Sequence, residues 1–247
     1  MRYAIYFAAD ADDRLMKLGN SWLGRDPFSG ETFGQPEIAG LTPERFGELT
    51  ASPRRYGFHG TLKAPFFLRE GRSEAALADA CRTFAAEIAP FDIREFGVNR
   101  LGRFLALTPN LDEPELRAFA SLCVRRFEPF RAPLSDADLE RRRKSGLTPK
   151  QDAYMTEWGY PYIFDEFRFH MTLSEKLEND TEADLLKSAA EDYFTDVTGR
   201  PLTCGTFGLY VEPEAGGPFH VHEIYRLTGS VAPQQAVSQA GTARENA

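Results

Sequence analysis

Long apolar runs are missing from this sequence. No stretch approaches the ~20 consecutive apolar residues that a helix needs to cross a bilayer, so a membrane span is not expected. Cysteine is scarce. Cys81, Cys123 and Cys204 are an odd number, lie far apart and lack the paired spacing of a metal site or a disulfide framework. Their apolar neighbours read as buried thiols of a cytoplasmic protein. Net positive charge is absent as well: 29 Lys and Arg stand against 37 Asp and Glu, giving −8. A protein that tracks a long polyanion normally presents a basic surface, so a long nucleic acid is not expected as a partner. One local exception, Arg141-Arg142-Arg143-Lys144, reads first as a solvated loop or helix face and second as an aid to an anionic substrate.

Histidine is rare too, and here scarcity is informative. The chain has 4 histidines, and two of them fall in one repeated frame. Phe58-His59-Gly60-Thr61-Leu62 returns as Phe169-His170-Met171-Thr172-Leu173. The strand period of two puts Phe58, Gly60 and Leu62 on one face and His59, Thr61 and Lys63 on the other. In the second copy Phe167, Phe169, Met171 and Leu173 share the apolar face, and Arg168, His170, Thr172 and Ser174 the polar one. Each copy thus offers an imidazole, a hydroxyl and a cation. Two imidazoles with ordinary pKa values of ~6.5 can divide proton transfer, one as base and one as acid. Two hydroxyls and two cations make a cradle for a phosphate. The competing reading is a structural duplication in which both histidines are satisfied polar groups.

The 247-residue chain has enough apolar content, 42%, to bury a full core as one domain or two packed lobes. Met1 to Phe7 is too short and aromatic for a secretory leader and predicts an opening strand. A helix follows with Leu15, Leu18 and Trp22 at helical spacing, then a Gly- and Pro-rich loop from Pro27 to Pro36. Thr42-Pro43 predicts the start of a short helix, with Thr42 as cap. After His59 come a helix over Ser73–Ala89 and a hairpin joining Phe91–Phe96 to Arg103–Thr108. Another helix, from Pro114, carries Leu116, Phe119, Cys123 and Phe127 inward. After His170, a strand over Phe167–Ser174 leads to a helix opened by a Thr181/Asp184 capping pair, then a hairpin joining Leu202–Val211 to Phe219–Leu227. Strand, helix and hairpin therefore recur, an internal repeat. Residues 131–166 read as a linker and helical insertion, and 231–247 as a disordered polar tail.

The paired Phe-His-x-Thr-Leu motifs resemble the two signatures of the two-histidine (2H) phosphoesterase superfamily. More narrowly, Tyr56-Gly57-Phe58-His59-Gly60-Thr61-Leu62-Lys63-Ala64-Pro65-Phe66 and Phe167-Arg168-Phe169-His170-Met171-Thr172-Leu173 resemble a bacterial branch associated with phosphonate-utilisation gene clusters. The resemblance implies an α+β fold of two pseudo-symmetric lobes, roughly 1–130 and 167–230, within one domain over 1–230. Each lobe would be an antiparallel sheet with helices on its outer face, and a central cleft would lie between them. It implies phosphodiester chemistry with no metal and no cofactor, on a small phosphorylated sugar or nucleotide. His59 and His170 would be the general acid and base, and Thr61 and Thr172 would bind the non-bridging oxygens. Lys63 and Arg168 follow from strand parity as substrate-binding candidates. Tyr56, Trp158 and Tyr160 are further candidates, the last two beside a Gly-Pro bend where rings can stack on a base or sugar. His220-Val221-His222 superficially suggests a metal site, but no third ligand is suitably spaced.

Overall fold

The opening strand, β1 (Arg2–Phe7), lies beside the centre of a seven-stranded sheet in the computed structural model, which describes every residue except Ser145, Asn246 and Ala247. From there the chain forms α1 (Arg14–Leu23), α2 (Pro43–Leu49), α3 (Ala51–Tyr56) and β2 (Gly60–Phe66). It continues through α4 (Glu74–Glu87), β3 (Phe91–Ile93), β4 (Phe96–Leu101), β5 (Phe104–Pro109) and α5 (Pro114–Arg126). Two helices, α6 (Asp136–Arg143) and α7 (Pro149–Trp158), precede β6 (Met171–Thr172) and α8 (Asp180–Tyr193). The last elements are β7 (Leu202–Cys204), β8 (Thr206–Glu212), β9 (His220–Arg226) and α9 (Pro233–Glu245).

Sheet order is β4-β5-β6-β2-β1-β8-β9, and every pairing is antiparallel, so the class is α+β. The two halves of the chain share this sheet, because the motif strands β2 and β6 pair directly at its centre. They meet again in a small second sheet, where β3 pairs with β7. Strand, helix, short strand and hairpin follow one another in each half. One apolar cluster runs through both, including Phe7, Trp22, Phe58, Phe119, Phe194 and Phe207. All three cysteines are buried in it as free thiols, and burial pushes their pKa values up. Among the described residues, no helix is long and apolar enough to cross a membrane.

Local chemistry explains most element ends. Asp13 caps α1 by accepting from the Leu15 N–H, Thr42 caps α2 with Pro43 in its first turn, and Ser73 caps α4. Four expectations need correction. The α8 cap is Asn179, which accepts from Glu182 N, in place of the Thr181/Asp184 pair, because the helix already begins at Asp180. The first hairpin pairs Phe96–Leu101 with Phe104–Pro109 about Gly102 (φ 59°), while Phe91–Ile93 leaves to pair across the halves. The strand expected over Phe167–Ser174 is regular only at Met171–Thr172. Its ladder ends because the Ser174 hydroxyl accepts the Leu105 N–H at 2.9 Å. Of residues 231–247, expected to lack order, Pro233–Glu245 form α9; Ala236 and Val237 pack on the core, the Glu115 carboxylate of α5 accepts from Gln234 N, and Asn246 and Ala247 lie outside the described residues.

Candidate active site

Strand pairing builds the site. Gly60 of β2 faces Met171 of β6. Carrying that antiparallel register one residue each way sets Thr61 across from His170 and His59 across from Thr172. All four side chains therefore project from the face opposite Gly60 and Met171, and each imidazole has the other motif's threonine as its cross-strand neighbour. One lobe of the resulting cleft, about 360 Å³, is lined by His59, Thr61 and Thr172; the adjoining lobe, about 400 Å³, is lined by Thr61, Arg168 and His170. Phe104 and Tyr160 border both.

The two rings are held in the same way. His59 Nδ1 donates to the Gly57 carbonyl at 2.8 Å, and His170 Nδ1 donates to the Arg168 carbonyl at 2.8 Å. Each bond spans two residues back and fixes the tautomer, leaving Nε2 as the working nitrogen of the neutral ring. Gly57 sits at φ 77°, a backbone region that favours glycine, and an added Cβ would meet Pro27 at 2.7 Å. Thr61 Oγ1 lies 3.2 Å from His59 Nε2. Burial, with a smaller contribution from nearby His170, pushes the His59 pKa down to about 4 against the opposing hydrogen bond to Gly57. Burial also lowers the His170 pKa. Both rings are thus neutral near pH 7, and an incoming phosphate anion would favour protonation of either.

Lys63 does not join them. Tyr6 faces Thr61, but its neighbour Ile5 faces Lys63, and Tyr3 faces Phe66, so β2 carries two extra residues against β1. The first bulge inverts the parity and turns Lys63 to the far side, where its Nζ donates to Glu128 at 2.8 Å and to the Val124 carbonyl at 3.1 Å. Arg168 is exposed at the His170 end of the cleft. Tyr56 lines the His59 end, its ring stacked on Phe219 and covered by the Arg55 guanidinium 4.3 Å away. Tyr160 forms the common wall, whereas Trp158 packs edge-on to Phe164 and lines a neighbouring cavity. His220 lies 3.4 Å from an Arg25 nitrogen, and His222 is exposed. Among the described residues, no three His, Cys, Asp or Glu side chains group as metal ligands would.

Several lining residues had no sequence signal. Tyr6 stacks on His59 with centroids 3.8 Å apart, and Phe104 lies 5.6 Å from His170. Ser52 and Glu175 meet beside His59, where the Ser52 N–H donates to the Glu175 carboxylate at 2.6 Å. Their positions depend on strand order and loop packing, which no local spacing reports.

A family model described as a protein of unknown function, DUF1045, matches residues 61–220, a stretch containing Thr61, His170 and Thr172. The chain belongs to the DUF1045 family. Over 222 residues it is 40% identical to the ribose 1,5-bisphosphate phosphokinase PhnN of Janthinobacterium sp. (strain Marseille), a match covering 88% of this chain and 49% of that protein. A protein of the same name from Laribacter hongkongensis (strain HLHK9) is 34% identical over 228 residues, covering 92% and 52%. This DUF1045 chain therefore spans about half the length of the curated relatives it matches. Among solved structures, a protein from Thermus thermophilus aligns with a TM-score of 0.42 at 17% identity, over 94% of this chain and all of its own.

Proposed function

We propose that this chain is a phosphodiesterase that opens a small cyclic phosphodiester, a ribose or nucleoside cyclic phosphate, by acid–base catalysis between its two histidines. The observation that carries this reading is the cross-strand quartet, in which each Nδ1 is tied to a carbonyl and each imidazole faces the other motif's threonine. The resemblance to 2H phosphoesterases leads to the same chemistry.

His59, whose burial keeps its ring neutral, is the base, and His170 is the acid once substrate binding has protonated it. His59 Nε2 takes a proton from water as the water oxygen bonds to phosphorus. The bond from phosphorus to one ring-closing sugar oxygen breaks, and His170 Nε2–H protonates that oxygen. One cyclic diester and one water become one monoester. Thr61 and Thr172 donate to the non-bridging oxygens as charge builds there. No step uses a metal or cofactor, so turnover is expected to survive exhaustive chelation; loss on chelation with rescue by a divalent ion would replace this mechanism.

Ribose is the favoured sugar. The relatives' name includes a ribose bisphosphate, and the motif resemblance leads to a branch tied to phosphonate utilisation, which supports a phosphoribosyl cyclic phosphate. The kinase activity in that name belongs to proteins about twice as long. This chain's sequence contains no Gly-x-x-x-x-Gly-Lys-Ser/Thr stretch, the loop with which many kinases cradle ATP. The net charge of −8 favours a small ligand over RNA-end processing or 2′–5′ ligation. A non-catalytic nucleotide binder would need the hydroxyl cradle but not two aligned imidazoles. The test is a turnover screen across ribose 1,2-cyclic phosphate, nucleoside 2′,3′-cyclic phosphates and short RNAs ending in a cyclic phosphate. Monoester release from a small cyclic diester is expected; release from none of them overturns the reading.

A further inference from the structure

Negative charge is missing from around His59. Its Nδ1 is bonded to the Gly57 carbonyl, its Nε2 lies near the Thr61 hydroxyl, and among the described residues no carboxylate bonds to the ring. Glu175 and Lys176 line the same lobe of the cleft, but the Glu175 carboxylate is held by the Ser52 N–H and Lys176 is exposed. His170, across the strands, adds only repulsion when it too is charged. A base placed here becomes a cation once it has taken a proton, and burial makes that charge costly.

What surrounds the ring is tyrosine. Tyr6 lies flat on it, with centroids 3.8 Å apart and planes 23° from parallel. Tyr56 and Tyr210 are tilted at 6.1 and 6.4 Å, and Tyr210 backs Tyr6 at 4.9 Å. Small residues make room for this cluster. Tyr6 faces Thr61 and Phe7 faces Gly60, so the same register sets Ala8 across from His59. A methyl there leaves the imidazole uncovered, and the diagonal neighbour, Tyr6, lies over it. On its other side Tyr6 faces Gly208 of β8, and the Tyr210 ring takes the space of the missing side chain, 2.8 Å from where a Cβ would be.

The face of an aromatic ring is the negative end of its quadrupole, and a cation held over it is stabilised most where water is excluded. Burial raises the pKa values of Tyr6 and Tyr210, so both phenols stay neutral and no phenolate supplies the absent charge. The Tyr210 hydroxyl is buried without a hydrogen-bond partner, so this residue serves through its ring. His170 has no such stack; Phe104 is tilted 5.6 Å away. We infer that Tyr6 is a positioning residue for the acid–base step, its ring face holding the positive charge that His59 acquires on taking the proton from water, with Tyr210 fixing Tyr6 from behind. The inference rests on the phosphodiesterase reading for its part in turnover, and adds to it why a histidine with no carboxylate beside it can serve as the base.

The test varies the electron density of the ring at nearly constant shape. Phenylalanine and its mono-, di-, tri- and pentafluorinated forms, placed in the full chain instead of Tyr6, draw progressively more density from the face. Nitrogen NMR of labelled histidine, recorded from about pH 7 down to about 4.5, orders the His59 pKa values without any substrate. Turnover is measured on whichever cyclic diester the wild type opens. Across the series the His59 pKa should fall stepwise by roughly one and kcat by roughly tenfold, with a smaller change in KM, as weakening of a desolvated cation–π contact would. A drop complete at Tyr6→Phe and flat thereafter assigns the work to the hydroxyl and overturns the inference. So does a pKa or a kcat that ignores fluorination, which leaves Tyr6 a packing residue. If the pentafluorinated chain does not fold, the lighter substitutions carry the trend. If no cyclic diester is turned over yet the His59 pKa still follows the ring, the stack stands and the phosphodiesterase reading falls.

Discussion

The two His-x-Thr copies share one local bond and differ in almost everything around it. Both imidazoles donate from Nδ1 to the carbonyl two residues back at the same 2.8 Å. Behind the first copy, Phe58 fills the space that a Cβ on Gly19 of α1 would occupy, 2.1 Å from its ring. Behind the second, Phe169 lies against Gly60 of the first copy, 2.4 Å from where a Cβ would be, and edge-on to Phe7. The motif middles therefore differ for a packing reason: Gly60 makes room for the partner motif's phenylalanine, while Met171 fills its own side. In front, Tyr6 stacks on His59, whereas His170 sits beside exposed Arg168 with Phe104 tilted 5.6 Å away. A duplicated motif has been placed in unequal surroundings, and unequal surroundings are how two like groups take opposite proton-transfer roles.

The largest expected effect breaks the pair outright. His59→Ala and His170→Ala should each lower kcat by roughly 10²–10⁴ with little loss of stability. Retention of wild-type turnover by either variant removes that histidine from the chemistry. Their pH profiles should differ as their surroundings do. The rising limb of kcat/KM reports the base, lies near pH 4 for His59, and should disappear in His59→Ala; a limb that persists there assigns the base elsewhere.

Next come the hydroxyls. Thr61→Val should cost about 10²-fold in kcat, the loss of one donor to a developing oxyanion. Thr172→Val should cost a similar factor, because the register gives each threonine the same cross-strand relation to the opposite ring. A loss confined to KM would instead make these hydroxyls simple binding groups.

Smaller still is the effect of filling the gap between the motifs. Gly60→Ala would drive a methyl into the Phe169 ring, and overpacking of this kind costs about 1–3 kcal/mol. It should lower the melting temperature and, by shifting β6 against β2, reduce turnover on both histidines together. An unchanged melting temperature would mean that Phe169 can move aside, and that the Gly60/Met171 difference is not a packing requirement.

The repeated frame was legible because its period and its flanking phenylalanines are local. So were the buried stripes of Leu15, Leu18 and Trp22 in α1 and of Leu116, Phe119 and Cys123 in α5, which follow from helical spacing alone. Lys63 was misplaced because a bulge belongs to a strand pair, and nothing within Gly60–Phe66 states how it registers against β1. The same limit hid the β3–β7 pairing and the docking of α9 on α5. Local periodicity reports which face a residue occupies; only the paired strands decide which residues meet.

The smallest prediction concerns stability, and its sign follows from burial. Folding lowers the His59 pKa from 6.5 to about 4, so below pH 6.5 the unfolded chain binds more protons at this residue than the folded one. Stability from this group is fully present above pH 6.5 and is lost as pH falls towards 4. His59 is partly open to the cleft, so the contribution over that window is about 1–2 kcal/mol, below the ceiling of a fully enclosed ring. Denaturant titrations between pH 4 and 7 should therefore show wild-type stability rising with pH and His59→Ala rising less steeply. His170→Ala should fall between the two, because burial lowers its pKa without a Tyr6-like ring stacked against it. If all three slopes coincide, the two imidazoles are equally solvated, and the asymmetry from which the proposed base and acid are assigned is lost.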